Sequence, residues 1–147
     1  MDEIRFLVQR SQEYGREVAI EINGENLIDK LQAFELPFAR AEGHPEIAGS
    51  YMSLAATTLL SRQFFGEWEF EERVAVLACG DCGHVFCWPM MVKITLGVDR
   101  VTWSEFQQPH RTGGETGTWD YQRFGPFVFD RHQYEQALEQ AAKKVRR

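Results

Sequence analysis

Three cysteines, Cys79, Cys82 and Cys87, stand close together in the stretch ACGDCGHVFCWPMM, residues 78–91. Cys79 and Cys82 are separated by two residues and Gly83 follows at once, so two thiolates carried round a sharp turn would converge on one tetrahedral ion such as zinc. Cys87 would be a third ligand. The fourth is missing locally: His84, two residues from Cys82, is strained for the same ion, so closure would fall to His110, His44 or His132. No second cysteine pair is present. The competing reading makes Cys79 and Cys87 small apolar side chains of strands on either side of a GDCGH turn, because cysteine is among the most buried residue types. That reading is preferred, so no cofactor is favoured and zinc is the alternative. It leaves Cys82 as the exposed thiol, which would become a nucleophile only if His84 or His110 stabilised its thiolate.

A second group of reactive types lies in QQPHRTGGETGTWDYQRFGP, residues 107–126. A loop this long inside one domain is uncommon and is often a binding element. His110 and Arg111, with Asp120 and Arg123, offer anion binding or acid–base chemistry, and Trp119 and Tyr121 offer aromatic anchors. The equal alternative is a hairpin tip whose Trp and Tyr fold back onto the core. Gly113 and Gly114 lack the Lys and Ser or Thr that a phosphate-binding loop needs. Arg131 would pair with an acid or reach a ligand, Asp130 reads as a helix cap, and His44 reads as a surface histidine. No G-x-S-x-G elbow, H-E-x-x-H pair, EF-hand loop or dinucleotide fingerprint occurs. Whether the chain is an enzyme stays open at this point, with the balance against.

The elements that must position these residues read as follows. IRFLV and EVAIEI alternate, with Ile4, Phe6 and Val8 on one face and Val18, Ile20 and Ile22 on another, which makes a β-hairpin across SQEYG. NGENLIDKLQAFE places Leu27, Ile28, Leu31 and Phe34 at helical spacing behind caps at Asn23 or Asn26, with Pro37 as the stop. SLAATTLLSRQFFG reads as a helix ended by Gly66. EWEFEERVAVLAC sets Glu67, Glu69 and Glu71 on a solvated face before a strand that enters the core. CWPMMVKITL and RVTWSEFQQ form a meander through GVDR. After a short FGPFVF strand, Asp130 caps a helix with Tyr134, Ala137, Leu138, Ala141 and Val145 on one face and Gln133 placed for a capping box. The expected fold is one α+β domain over residues 1–147: a mostly antiparallel sheet with two or three helices packed on one face.

Composition narrows the function classes. At 147 residues, 44% of them hydrophobic and 13% aromatic, the chain can bury a core without a metal or disulfide as a staple. Its net charge of −6 opposes binding to phosphate backbones, so nucleic acid is not an expected partner. The terminal KKVRR complements the dipole of the last helix. No apolar run approaches the roughly 20 residues needed to span a bilayer, and MDEIRFLVQRSQEYG is no secretory leader. A cytoplasmic protein with reduced thiols is expected, with no membrane partner.

The segments CGHVFCWPM, VTWSEFQQPHR and FGPFVFDRHQYEQAL together resemble a group of short, uncharacterised bacterial proteins. In these a Cys-Gly turn leading to a Cys-Trp-Pro strand is followed by a Gln-Pro-His-Arg segment and a Phe-Asp-Arg helix start. The likeness covers the C-terminal half and carries over Cys82, Gly83, Cys87, Trp88, Pro89, His110, Arg111, Asp130, Arg131 and Tyr134. It implies a bacterial cytosolic origin and no mechanism. The leading expectation is a small non-catalytic protein that sequesters a basic partner protein, as bacterial immunity proteins do, binding through His110, Arg111, Trp119, Tyr121 and Arg131. The alternative is an enzyme or anionic-ligand site where Cys82, His110, Arg111 and Arg131 converge. A third reading is structural zinc at Cys79, Cys82 and Cys87.

Overall fold

The computed structural model describes residues 1–66, 72–81, 87–112 and 118–146. Cys82 and His84, the Glu67, Glu69 and Glu71 row, and the Gly113–Gly114 pair lie outside the described residues. Alternation in the first 22 residues produces the expected hairpin, β1 (Ile4–Ser11) against β2 (Gly15–Ile22). Ile4 faces Ile22, Phe6 faces Ile20 and Val8 faces Val18. Burying such side chains contributes about 1.5–3 kcal/mol each, which fixes this face inward and with it the register.

A two-residue strand, β3 (Glu25–Asn26), pairs with β2 and leads into α1 (Leu27–Ala41). Asn26 is the cap: its Oδ1 accepts the Ile28 N–H at 2.8 Å. Pro37 does not stop this helix, contrary to expectation. Ala33 and Pro37 lie on the exposed side, where the carbonyl left by the missing proline N–H can be hydrated. The opposite side anchors the helix through Leu27, Leu31, Glu35 and Ala39, every fourth residue and all buried.

The segment expected to form one helix over SLAATTLLSRQFFG does otherwise. β4 (Tyr51–Ala55) pairs with β2 through Val18↔Leu54 and, on its other side, with β5 (Val74–Cys79) through Tyr51↔Cys79 and Ser53↔Leu77. Two short 3-10 turns follow, Ala56–Leu60 and Gln63–Phe65, before Gly66. The Thr58 hydroxyl bonds the Ala55 carbonyl, a local bond that competes with helix propagation. The meander is as expected: β6 (Met90–Leu96) and β7 (Arg100–Gln107) are antiparallel neighbours, and β8 (Phe127–Asp130) pairs with the first half of β7.

The sheet runs β1-β2-β4-β5-β6-β7-β8, with β3 beside β2. Its two ends are brought together by Asp2, which forms a parallel bridge with Phe129; the Asp2 N–H donates to the Val128 carbonyl at 2.9 Å and Oδ2 accepts the Val128 N–H at 2.8 Å. α2 (Arg131–Arg146) packs on β1, and Asp130 caps it by accepting the Gln133 N–H at 3.0 Å. Gln133 does not turn back to close a capping box. Its amide instead brackets Ile4, donating to the Ile4 carbonyl at 2.7 Å and accepting the Ile4 N–H at 3.2 Å, and so ties α2 to β1. Among the described residues, eight strands in one antiparallel sheet with two helices over one core make an α+β fold, the class expected. Among the described residues no helix is long and apolar enough to cross a membrane.

Candidate functional site

α1 carries an acid on its buried stripe. Glu35 is 0% exposed, and three donors converge on it: the Tyr51 hydroxyl at 2.6 Å and the Tyr121 hydroxyl at 2.5 Å on Oε2, and the Gly49 N–H at 2.8 Å on Oε1. Gln108, also fully buried, extends the network by donating to the Tyr51 oxygen at 3.3 Å and the Pro89 carbonyl at 3.0 Å, while its Oε1 accepts the His110 N–H at 3.0 Å. One knot therefore joins α1, β4, the entry to β6, and both ends of the segment that follows β7. Burial raises the Glu35 carboxyl above its ordinary 4.5, and the three donors offset this only in part. Burial and the neighbouring Glu35 raise both phenols, so Tyr51 and Tyr121 remain donors at any physiological pH.

Gly49 reaches Glu35 from a left-handed backbone, φ 68°, and a Cβ there would stand 2.6 Å from Gln32 Cβ. Gly49→Ala is expected to lower stability by about 2 kcal/mol, through backbone strain and loss of this hydrogen bond. Equilibrium urea unfolding measures it.

The rim above the knot is cationic and aromatic. The Arg111 guanidinium lies 4.7 Å from the Trp88 ring centre and 5.3 Å from that of Trp119. Its Nε is 3.3 Å from Glu42 Oε1, an ion pair without the alignment of a hydrogen bond, and its Nη1 donates to the His110 carbonyl at 2.9 Å. The Trp119 indole N–H donates to the other Glu42 oxygen. Trp88 stacks on His110 with ring centres 5.7 Å apart and planes within 5°. The Trp88 indole N–H is buried with no hydrogen-bond partner among the described residues.

The structure brings some sequence candidates together and separates others. Cys79, Asp81, Cys87, Trp88 and Arg111 share a cavity of about 260 Å³, so the described flanks of the cysteine turn meet the segment that follows β7. Cys79 is buried and Cys87 exposed. Cys82 lies outside the described residues, and among those described no group of three or more His, Cys, Asp or Glu is placed to hold a metal. His110 is exposed beside Trp88, while His44 pairs with Glu46 at 3.2 Å.

Arg131 does not join them. It holds the start of α2 to the turn before β7, donating to the Gly97 carbonyl at 2.6 Å and to Glu135 at 2.7 Å. The run of β7, roughly 24 Å at about 3.4 Å per residue, separates that turn from His110. The expected convergence of Arg131 with His110 and Arg111 is therefore corrected. Trp119 and Tyr121 are 4% and 7% exposed and belong to the core, stacking on Phe38 and Phe34 of α1. They anchor their own segment instead of standing free as binding aromatics.

Glu35, Glu42, Tyr51 and Gln108 were not candidates from the sequence. A signal for Glu35 exists there: it occupies the stripe Leu27, Leu31, Ala39, where an acid must find partners or destabilise the helix packing. Beside the rim an open cleft of about 730 Å³ runs between Ser104–Gln107 of β7 and the segment from Thr118 to Pro126. No family model, curated protein or solved structure matches the chain.

Proposed function

We propose that the chain is a non-catalytic, cytoplasmic binding protein that sequesters a basic partner protein through the face formed by the β7 cleft and the Arg111 rim. One observation carries this reading: the candidate polar groups are engaged with one another. Arg111 is held by Glu42 and two indoles, and Tyr51, Tyr121 and Gln108 are held around Glu35. Groups bonded in this way stiffen the wall of a cleft, and a preformed wall lowers the ordering cost of association. The net charge of −6 would speed encounter with a cationic partner and disfavour acidic ones.

The test is affinity capture on the full chain from the organism that makes it, followed by reconstitution of the purified pair. A stoichiometric complex with a protein of net positive charge, weakening as salt rises, is the expected result. Recovery of no stoichiometric partner, with binding of small molecules alone, would overturn the reading. A second reading rests on the cavity shared by Cys79, Cys87 and Arg111, which would suit a small anionic ligand. Calorimetric titration with small carboxylates and phosphate decides it, since heats lost in Arg111→Ala are expected only there.

A further inference from the structure

β5 and β6 pair as far as Leu77↔Met90. Continued by two residues, that register sets Cys79, the last residue of β5, opposite Trp88, with Cys87 one residue further on. Opposed residues of an antiparallel pair stand about 4.5–5.5 Å apart at Cα, and the next residue about 6 Å away, within the roughly 4.4–6.8 Å that a disulfide spans. β6 begins only at Met90, so strict alternation of faces does not bind Cys87, and both thiols line the same cavity of about 260 Å³. They differ in access: Cys79 is 6% exposed and pairs with Tyr51 of β4, while Cys87 is exposed. Trp88, beside Cys87 in the chain, lines the cavity too; its ring stacks on His110 and lies 4.7 Å from the Arg111 guanidinium. Among the described residues no hydrogen bond of the Trp88 indole fixes that ring in place.

We propose that Cys79 and Cys87 are a reversible thiol–disulfide pair oxidised by hydrogen peroxide, and that its closure moves Trp88 and with it the Arg111 rim. The exposed thiol reacts first. The Cys87 thiolate attacks one peroxide oxygen; the O–O bond breaks, an S–O bond forms and hydroxide leaves, so that Cys87 becomes a sulfenic acid and the peroxide is reduced. The Cys79 thiolate then attacks the Cys87 sulfur; the S–S bond forms, the S–O bond breaks and a second hydroxide leaves. The two hydroxides take up the two protons the thiols gave, and two waters result. Burial keeps Cys79 from the peroxide while holding it beside Cys87, where it captures the sulfenic acid before further oxidation. An external dithiol reverses the bond by two exchanges, so in a reducing compartment it forms only under oxidant. Closure draws Cys87 toward Cys79, and Trp88 follows as the next residue in the chain. The inference does not depend on what the rim binds.

The test uses the full chain, reduced with dithiothreitol and then exposed to hydrogen peroxide. Cleavage before Asp81 and after Phe86 separates the three cysteines, so mass spectrometry identifies which are joined. The expected main product is an intramolecular Cys79–Cys87 disulfide that dithiothreitol reverses. Cys82 lies outside the described residues, and Cys82→Ser is expected to keep the bond. In the reduced protein iodoacetamide should label Cys87 about tenfold faster than Cys79, the order their exposure sets. Cys79→Ser should lose the disulfide and leave a Cys87 sulfenic acid that dimedone traps. On oxidation the Trp88 indole resonance, identified by its absence from Trp88→Phe, should shift, and in Cys79→Ser it should stay in place. A main product that joins Cys82, a bond only between chains, or Cys79 labelled first would overturn the pair. An unmoved Trp88 resonance in the disulfide form would overturn the coupling to the rim.

Discussion

Glu35→Ala is expected to destabilise the protein by about 3–5 kcal/mol, because it leaves two buried phenols and a partly buried amide N–H without an acceptor. Tyr51, Tyr121 and Gly49 are those donors. Urea unfolding followed by tryptophan fluorescence would measure the loss, and a change under 1 kcal/mol would contradict the knot as described. Glu35→Gln retains one oxygen for the phenols and is expected to cost much less, near 1 kcal/mol. The pair of variants also separates charge from shape. The folded state holds the Glu35 proton more tightly than the unfolded chain does, since burial raises its carboxyl above 4.5. The native state therefore binds more protons over that interval, and the stabilising contribution, complete below pH 4.5, is lost as pH rises through the raised value. Stability of the parent protein should fall with pH across that window, and Glu35→Gln should flatten the slope.

Trp103→Ala is the second large effect, about 4 kcal/mol. Trp103 is fully buried, stacks on Phe64 with planes within 8°, and meets Phe129 and Tyr134 edge-on. Its indole N–H donates to the Tyr134 oxygen at 3.0 Å, and the Tyr134 hydroxyl donates onward to the Phe64 carbonyl at 2.5 Å. Removing the ring leaves a cavity in a close-packed core and strips the Tyr134 oxygen of its donor. Tyr134→Phe keeps the packing and breaks only the relay, so a smaller loss near 2 kcal/mol is expected. Thermal unfolding should rank the parent above Tyr134→Phe and Tyr134→Phe above Trp103→Ala; equal stabilities of the two variants would show that the relay outweighs the ring.

What could be read from the residues was whatever local period or local caps decide. Ile4, Phe6 and Val8 against Val18, Ile20 and Ile22 make a hairpin wherever they occur, and Asn26 and Asp130 cap helices by bonding two or three residues ahead. Misreadings arose where distant partners overrule local rules. Pro37 would end an isolated helix, but α1 is held on its far side by contacts with β4 and with Tyr121 and Phe124. Residues 53–55, the start of the stretch that reads as a helix, instead end a strand because β2 and β5 lie on either side. The site was half legible. Residue type singles out His110, Arg111, Trp119 and Tyr121, and of the two alternatives offered for the aromatics the structure has them folded back onto the core. Their companions Glu35, Glu42 and Gln108 carry no mark except that Glu35 sits on an apolar stripe, and the separation of Arg131 is a property of topology that no spacing reveals.

The order of strands in the sheet has a consequence for the protein while it is being made. Neighbours in the sheet are almost all neighbours in the chain, so the strands can pair one after another as they leave the ribosome. The exceptions are the closure at Asp2 and Phe129 and the seating of α2 on β1, where Gln133 brackets Ile4 and Arg16 of β2 donates to the last-turn carbonyls of Lys144 and Val145. Those partners are the earliest and latest of the described elements. The 3-10 turn at Phe64 and α1 cover part of the first hairpin's apolar face midway, but the part that α2 covers waits for the last of the described elements, and that nascent surface is the one left exposed longest.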